Sequence, residues 1–135
     1  MAKKVPTIVV IDDSPTSISL YEHSAAPLKV NLKTFLSPKE SLDFLAKNDV
    51  DLVFLDIVMR EMDGLTVLSK IREMLLLLGT TVVMVTSKDY AQDRQTAKQL
   101  GAREFVVKPI RPKEIRNIIC KYTNAASVGG DATGK

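Results

Sequence analysis

The chain has one cysteine, Cys120, among 135 residues, so no disulfide can form within it. It also has one histidine, His23, and a single residue of each kind leaves no Cys/His set to hold zinc. No apolar run approaches the roughly 20 residues that a membrane-spanning helix needs. Charge of one sign is scarce too. Nineteen basic and sixteen acidic residues leave a net charge of +3, too small by itself to argue for nucleic acid. There is no internal repeat and no low-complexity core. Met1-Ala2-Lys3-Lys4 is basic, but the apolar stretch after it is too short for a signal peptide and acids follow at once. A cytoplasmic, soluble domain is the expectation, with no membrane contact.

What is present has an ordinary globular balance, 45% apolar and 26% charged. The length suits one domain with a real core. Thr7 to Ile11 is a continuous β-branched run, as in a strand buried on both faces. Ser14-Pro15 reads as an N-cap with proline at the first helical position, opening a helix to about Ala26. Val30 to Phe35 alternates apolar and polar, which suits an edge strand. Ser37-Pro-Lys-Glu40 has the pattern of a capping box and opens a helix to about Lys47. Leu52 to Leu55 is the next buried strand. Asp63 then caps a helix from Gly64 to about Leu77, with Gly79 as its C-cap and the four leucines 75–78 as a core-facing end, a dimer contact being the second reading. Thr81 to Val85 is a fourth strand, Ala91 to Leu100 a polar helix closed by Gly101, and Glu104 to Val107 a fifth strand. Pro112 opens a last helix to about Tyr122, with Ile115, Ile118 and Ile119 on one face and Cys120 expected in the core. Residues 124–135 are small and polar and read as a flexible tail or linker stub, leaving 5–123 as the domain.

Strand and helix alternate five times. That order predicts an α/β fold with a five-stranded parallel sheet and helices on both faces. An alternating second strand belongs at an edge, which favours the spatial order 2-1-3-4-5. Parallel strands end on one rim, and ligands bind at the switch point on that rim. Here the rim carries Asp12 and Asp13, Asp56, Thr86 and Lys108. Three carboxylates in one place repel each other, so either their pKa values rise or a cation joins them. A hard divalent ion such as Mg²⁺ fits, because it takes oxygen ligands and needs only one or two carboxylates plus phosphate. Lys108 is a point charge able to reach phosphoryl oxygens, and Thr86 can donate a hydroxyl hydrogen. The set points to phosphoryl transfer, with Asp56 as a carboxylate nucleophile.

Asp12-Asp13, Asp56, the spacing of Met59 to Gly64, Thr86 and Lys108-Pro109 together resemble the receiver domain of two-component response regulators. The likeness covers about residues 5–123, and the length is close to that of stand-alone chemotaxis-type members. It implies the flavodoxin-like receiver fold and phosphoryl transfer to Asp56 from a histidine kinase or a phosphotransfer protein. Asp13, Asp56 and the Val58 carbonyl would hold Mg²⁺, with Asp12 acting mainly through water. Thr86 would move toward the phosphoryl group and Lys108 would pair with it. Phe105 stands at the aromatic switch position, and the Lys108-Pro109 bond would be cis. The fourth helix, fifth strand and fifth helix would form the output face. Residues 88–121 hold nine basic residues and four acids, so that face could select an acidic partner. Direct nucleic-acid binding is not expected.

Departures from the family pattern stand beside these matches. Arg60 occupies a place where proline is usual. Val58 is apolar and Lys88 is basic, and the resemblance implies that both positions flank the path of an attacking water, so slow self-dephosphorylation is expected. An aspartyl-phosphate phosphohydrolase is a weaker reading, because Val58 and Ser14 stand where a second acid is wanted. A docking module with an unused acceptor conflicts with the intact Asp56, Thr86 and Lys108. The receiver part of a longer regulator remains a further reading. Asp63 reads as a cap and His23 as a surface residue.

Overall fold

The computed structural model describes residues 5–127. β1 (Thr7–Ile11), β3 (Asn31–Phe35), β4 (Leu52–Asp56), β5 (Thr81–Thr86) and β6 (Glu104–Val107) form a five-stranded sheet in the order β3-β1-β4-β5-β6. All four pairings are parallel. This is the expected order once the two-residue strand β2 (Leu28–Lys29) is set aside. β1 and β4 carry continuous apolar runs because both of their faces are covered. Val9, Ile11, Val53, Leu55, Val82 and Met84 enter one core, while Ile8, Val10, Leu52, Phe54, Val83 and Val85 enter the other. Successive side chains of a strand point to opposite faces, so each central strand feeds both cores.

The first core lies under α2 (Pro38–Leu45), α3 (Gly64–Arg72) and α4 (Ala91–Gln99), and the second under α1 (Pro15–Ala25) and α5 (Pro112–Tyr122). Ser14 caps α1, accepting from the Ser17 amide at 3.3 Å, and Ser37 caps α2, accepting from the Glu40 amide at 3.2 Å. The expected capping box is only half formed: the Glu40 amide reaches Ser37, but the Glu40 carboxylate makes no return bond to the Ser37 amide, and the Ser37 hydroxyl donates to Glu61 instead. Glu61 Oε1 accepts from Ser37 Oγ at 2.9 Å and from the Lys39 amide at 3.3 Å, and these bonds hold its carboxyl below its usual range. They tie the loop after β4 to the start of α2. Gly101 has φ +83, the left-handed conformation that lets the chain leave α4.

Four expectations need correction. α3 ends at Arg72, and Leu75–Leu77 form a separate 3-10 turn. Only Leu77 of the four leucines is buried, while Leu75, Leu76 and Leu78 are 85%, 51% and 63% exposed. Arg72 fixes this turn. Its guanidinium donates to the carbonyls of Leu100 (2.9 Å), Gly101 (3.0 Å), Thr80 (3.2 Å) and Leu77 (3.4 Å). The chain therefore turns before a further helical turn can form, and one leucine suffices to plug the core. Gly79 is not a left-handed helix cap, because Gly101 is the glycine with positive φ among the described residues. Cys120 is exposed, since it lies one step around the helix from the Ile115, Ile118 and Ile119 stripe. Finally, part of the expected tail is paired: β7 (Ala126–Ser127) lies antiparallel to β2. The rest of that tail, 128–135, lies outside the described residues.

The unequal burial of the leucines makes a prediction. Leu77→Ala lowers stability by about 2–4 kcal/mol through an unfilled cavity, while Leu75→Ala changes it by less than about 0.5 kcal/mol. Urea unfolding of the two variants checks this.

Candidate functional site

The C-terminal ends of β1, β4, β5 and β6 deliver the site. Asp12 follows β1 and Asp56 closes β4, and both are buried. Asp12 is held by backbone on two sides. Its amide donates to the Phe35 carbonyl at 3.1 Å, and its Oδ1 accepts from the Ser14 amide at 2.9 Å. Asp12, Asp13 and Asp56 each present a carboxylate oxygen within 4.8 Å of the others. Lys108 follows β6, and its amide donates to the Thr86 carbonyl at 2.7 Å. Its ammonium then lies between two acids, 3.0 Å from Asp12 Oδ2 and 3.5 Å from Asp56 Oδ2. The Lys108-Pro109 peptide is cis.

Asp56 is 6% exposed. Burial pushes its carboxyl up to about 6, the charge of Asp12 adds to this, and the Lys108 ammonium partly reverses it. Three hard oxygen donors with too little positive charge around them fit a hard divalent cation, and they do not suit a soft metal.

Thr86 is buried at the end of β5, with its hydroxyl turned into its own loop. Thr86 Oγ1 accepts from the Lys88 amide at 3.1 Å and donates to the Lys88 carbonyl at 3.3 Å. Phe105 lies on β6, half-buried against the first core, with the Arg94 guanidinium 4.6 Å from its ring centroid. Arg94 is itself forked onto Asp89 at 2.6 and 3.3 Å. Lys98, Arg103, Arg111 and Lys113 are exposed on α4, β6, α5 and their loops. Val58 is half-exposed beside the acids, and His23 is exposed away from them.

Sequence reasoning missed three features. Ser17 Oγ lies 3.5 Å from the Lys108 ammonium, one helical turn beyond the Ser14 cap. Arg60 bonds directly to Asp13, through its amide at 2.9 Å and its Nε at 3.4 Å. Gly64 is required by close approach, since a Cβ there would lie 2.0 Å from the Asp56 carbonyl oxygen. The Asp-Gly pair was legible as a helix start, but the contact with β4 depends on the folded sheet.

The response regulator receiver domain family matches residues 8–120. This chain belongs to that family. The receiver is 36% identical over 104 residues to a probable cyclic di-GMP phosphodiesterase of Vibrio cholerae, covering 77% of this chain and 23% of that protein. It is 31% identical over 108 residues to the regulatory protein VanR of Enterococcus faecium, covering 80% and 46%. The chain thus spans less than half the length of these two relatives. Among solved structures, the chemotaxis response regulator CheY4 of Vibrio cholerae superposes with a TM-score of 0.79 at 21% identity, covering 89% of this chain and all of that one. The signal receiver domain of an HD domain-containing protein of Pseudomonas fluorescens gives 0.81 at 22% identity, covering 88% and 94%. At these identities the structural likeness speaks for the fold. Among the described residues no helix is long and apolar enough to cross a membrane.

The raised carboxyl of Asp56 sets a pH dependence. Its folded value, about 6, lies above the ordinary 3.8. The folded metal-free protein therefore binds the extra proton between those values, and the stabilisation from that proton is lost as pH rises through about 6. Metal-free wild type should lose stability relative to Asp56→Asn between pH 4 and 7, by about 2–3 kcal/mol. Urea unfolding of both proteins across that range, with chelator present, measures it.

Proposed function

We propose that the receiver is a phosphorylation-dependent switch that accepts a phosphoryl group on Asp56. The supporting observation is the convergence of three carboxylates and one lysine at the strand ends, with Asp56 buried and pressed by like charge. The donor would be a phosphohistidine on a histidine kinase or a phosphotransfer protein. An Asp56 oxygen attacks phosphorus, the P–N bond breaks, the imidazole leaves with the bonding pair, and an aspartyl phosphate remains. Asp13, Asp56 and the Val58 carbonyl, with Asp12 through water, would hold Mg²⁺, whose charge would offset that building on the transferring group. Lys108 is placed to pair with a phosphoryl oxygen, having already the reach to Asp56. The unit carrying this chemistry is taken as residues 5–123, with β7 paired back onto β2 just beyond it. Within a cell it would work in the cytoplasm.

Switching would follow from the same residues. Thr86 would give up its bonds to Lys88 and turn toward the phosphoryl group. Phe105 would then reorient, breaking its stack with Arg94, and α4, β6 and α5 would present an altered surface. The exposed basic residues there suit an acidic protein partner, and nothing in the site requires direct contact with nucleic acid. A homodimer, through the exposed leucines at 75, 76 and 78, would be a second mode of output. Val58, two residues after Asp56, and Lys88, bonded through its backbone to Thr86, are exposed and carry no side-chain carboxylate or amide to orient an attacking water, so the aspartyl phosphate should be long-lived.

Incubation with Mg²⁺ and a small phosphodonor, followed by intact mass, tests the proposal. The expected result is one phosphate adduct, absent in Asp56→Asn and without Mg²⁺. No adduct under any Mg²⁺ condition would return the chain to a docking role, and turnover of unrelated phosphoesters would favour a hydrolase. Val58→Asn should shorten the lifetime of the adduct, and a wild-type lifetime already as short as that of chemotaxis-type receivers would contradict the slow-hydrolysis reading.

A further inference from the structure

The protein cations at the site are divided between the acids. Lys108 serves Asp12 and Asp56. Asp13 is served by Arg60, whose amide and Nε both reach Asp13 Oδ2, at 2.9 and 3.4 Å. Arg60 has no other ion pair among the described residues, and its side chain is 91% exposed. It sits in the loop between β4 and α3, four residues after Asp56. A proline, usual at that place in the family pattern, would bring neither an N–H nor a charge.

We infer that Arg60 is a tethered counter-ion that competes with the divalent cation for Asp13, so that metal occupancy involves exchange of the arginine for the ion. The inference rests on reading the acidic cluster as a metal site. Mg²⁺ binds a carboxylate oxygen at about 2.0–2.1 Å and demands a nearly regular coordination shell. An ion bound at Asp13 would take up the carboxylate's charge and weaken the hold of the guanidinium, whose Nε lies 3.4 Å from Oδ2. Because Arg60 is exposed, it returns to water on displacement with little loss, so the competition is modest in size and sensitive to salt. Its effect is to keep Asp13 neutralised in the resting protein while leaving the site open to Mg²⁺ at a raised concentration.

Calorimetric titration of the full chain with MgCl₂, at low ionic strength and without phosphodonor, tests this. Arg60→Ala should bind Mg²⁺ about two- to fivefold more tightly than wild type, the range an exposed ion pair supplies. Arg60→Lys should fall between them. The gap should close at about 0.5 M salt. In wild type, the Arg60 Nε–H resonance should shift as Mg²⁺ saturates the site. Equal or weaker affinity in Arg60→Ala, or an Nε–H resonance indifferent to Mg²⁺, overturns the inference. Asp13→Asn separates this from the underlying reading. If it keeps full affinity, or if no variant binds Mg²⁺ at all, the metal site itself is wrong. If it loses affinity while Arg60→Ala matches wild type, only the role of Arg60 is wrong.

Discussion

The contact on which the site depends is the placement of the Lys108 ammonium between Asp12 and Asp56. The parallel sheet forces acids from β1 and β4 together at one rim, and burial makes their charges costly. Lys108 offsets part of that cost and leaves the rest. The remainder appears in the raised carboxyl of Asp56. A site left short of positive charge is one that a divalent cation can complete. The lysine is itself positioned by backbone, through the bond from its amide to the Thr86 carbonyl, so the same strand ends that create the repulsion also place its remedy.

A line of contacts leads from that site to the proposed output face. Thr86 is bonded to Lys88 on both sides of the Lys88 residue, the next residue Asp89 grips Arg94, and Arg94 covers Phe105. Each link is an individually modest interaction, a neutral hydrogen bond, an exposed ion pair or a cation–π contact. Such links can be exchanged without unfolding anything. The line touches the sheet only at the end of β5 and through Phe105 at the margin of the first core, which fits a switch that moves side chains and loops while its sheet holds still.

The sheet was legible because its central strands are buried on both faces. Continuous runs such as Thr7–Ile11 and Leu52–Leu55 leave few other homes for such residues. Once the strands were ordered, the rim residues followed from topology, and Asp12, Asp13, Asp56, Thr86 and Lys108 do lie at neighbouring strand ends. What escaped depends on contacts between distant segments. The leucines at 75–78 look like a buried helix end, yet four carbonyl contacts from Arg72 fold the chain into a 3-10 turn that buries only Leu77. Cys120 looks apolar, but its angular position takes it off the isoleucine stripe. The β2–β7 pair is too short for periodicity to register. Arg60 was visible as a departure where proline is usual, but its bond to Asp13 joins residues on separate loops.

The account turns on Asp56 being an electrostatically pressed carboxylate that a divalent cation relieves. Carbon-13 NMR of the aspartate carboxyls, followed through a pH titration with chelator and again with saturating Mg²⁺, measures this directly. The account predicts that Asp56 titrates near 6 without metal and well below that with it, because the ion favours the charged form. An Asp56 titration curve left unchanged by Mg²⁺, or one already in the ordinary carboxylate range with chelator present, would contradict it.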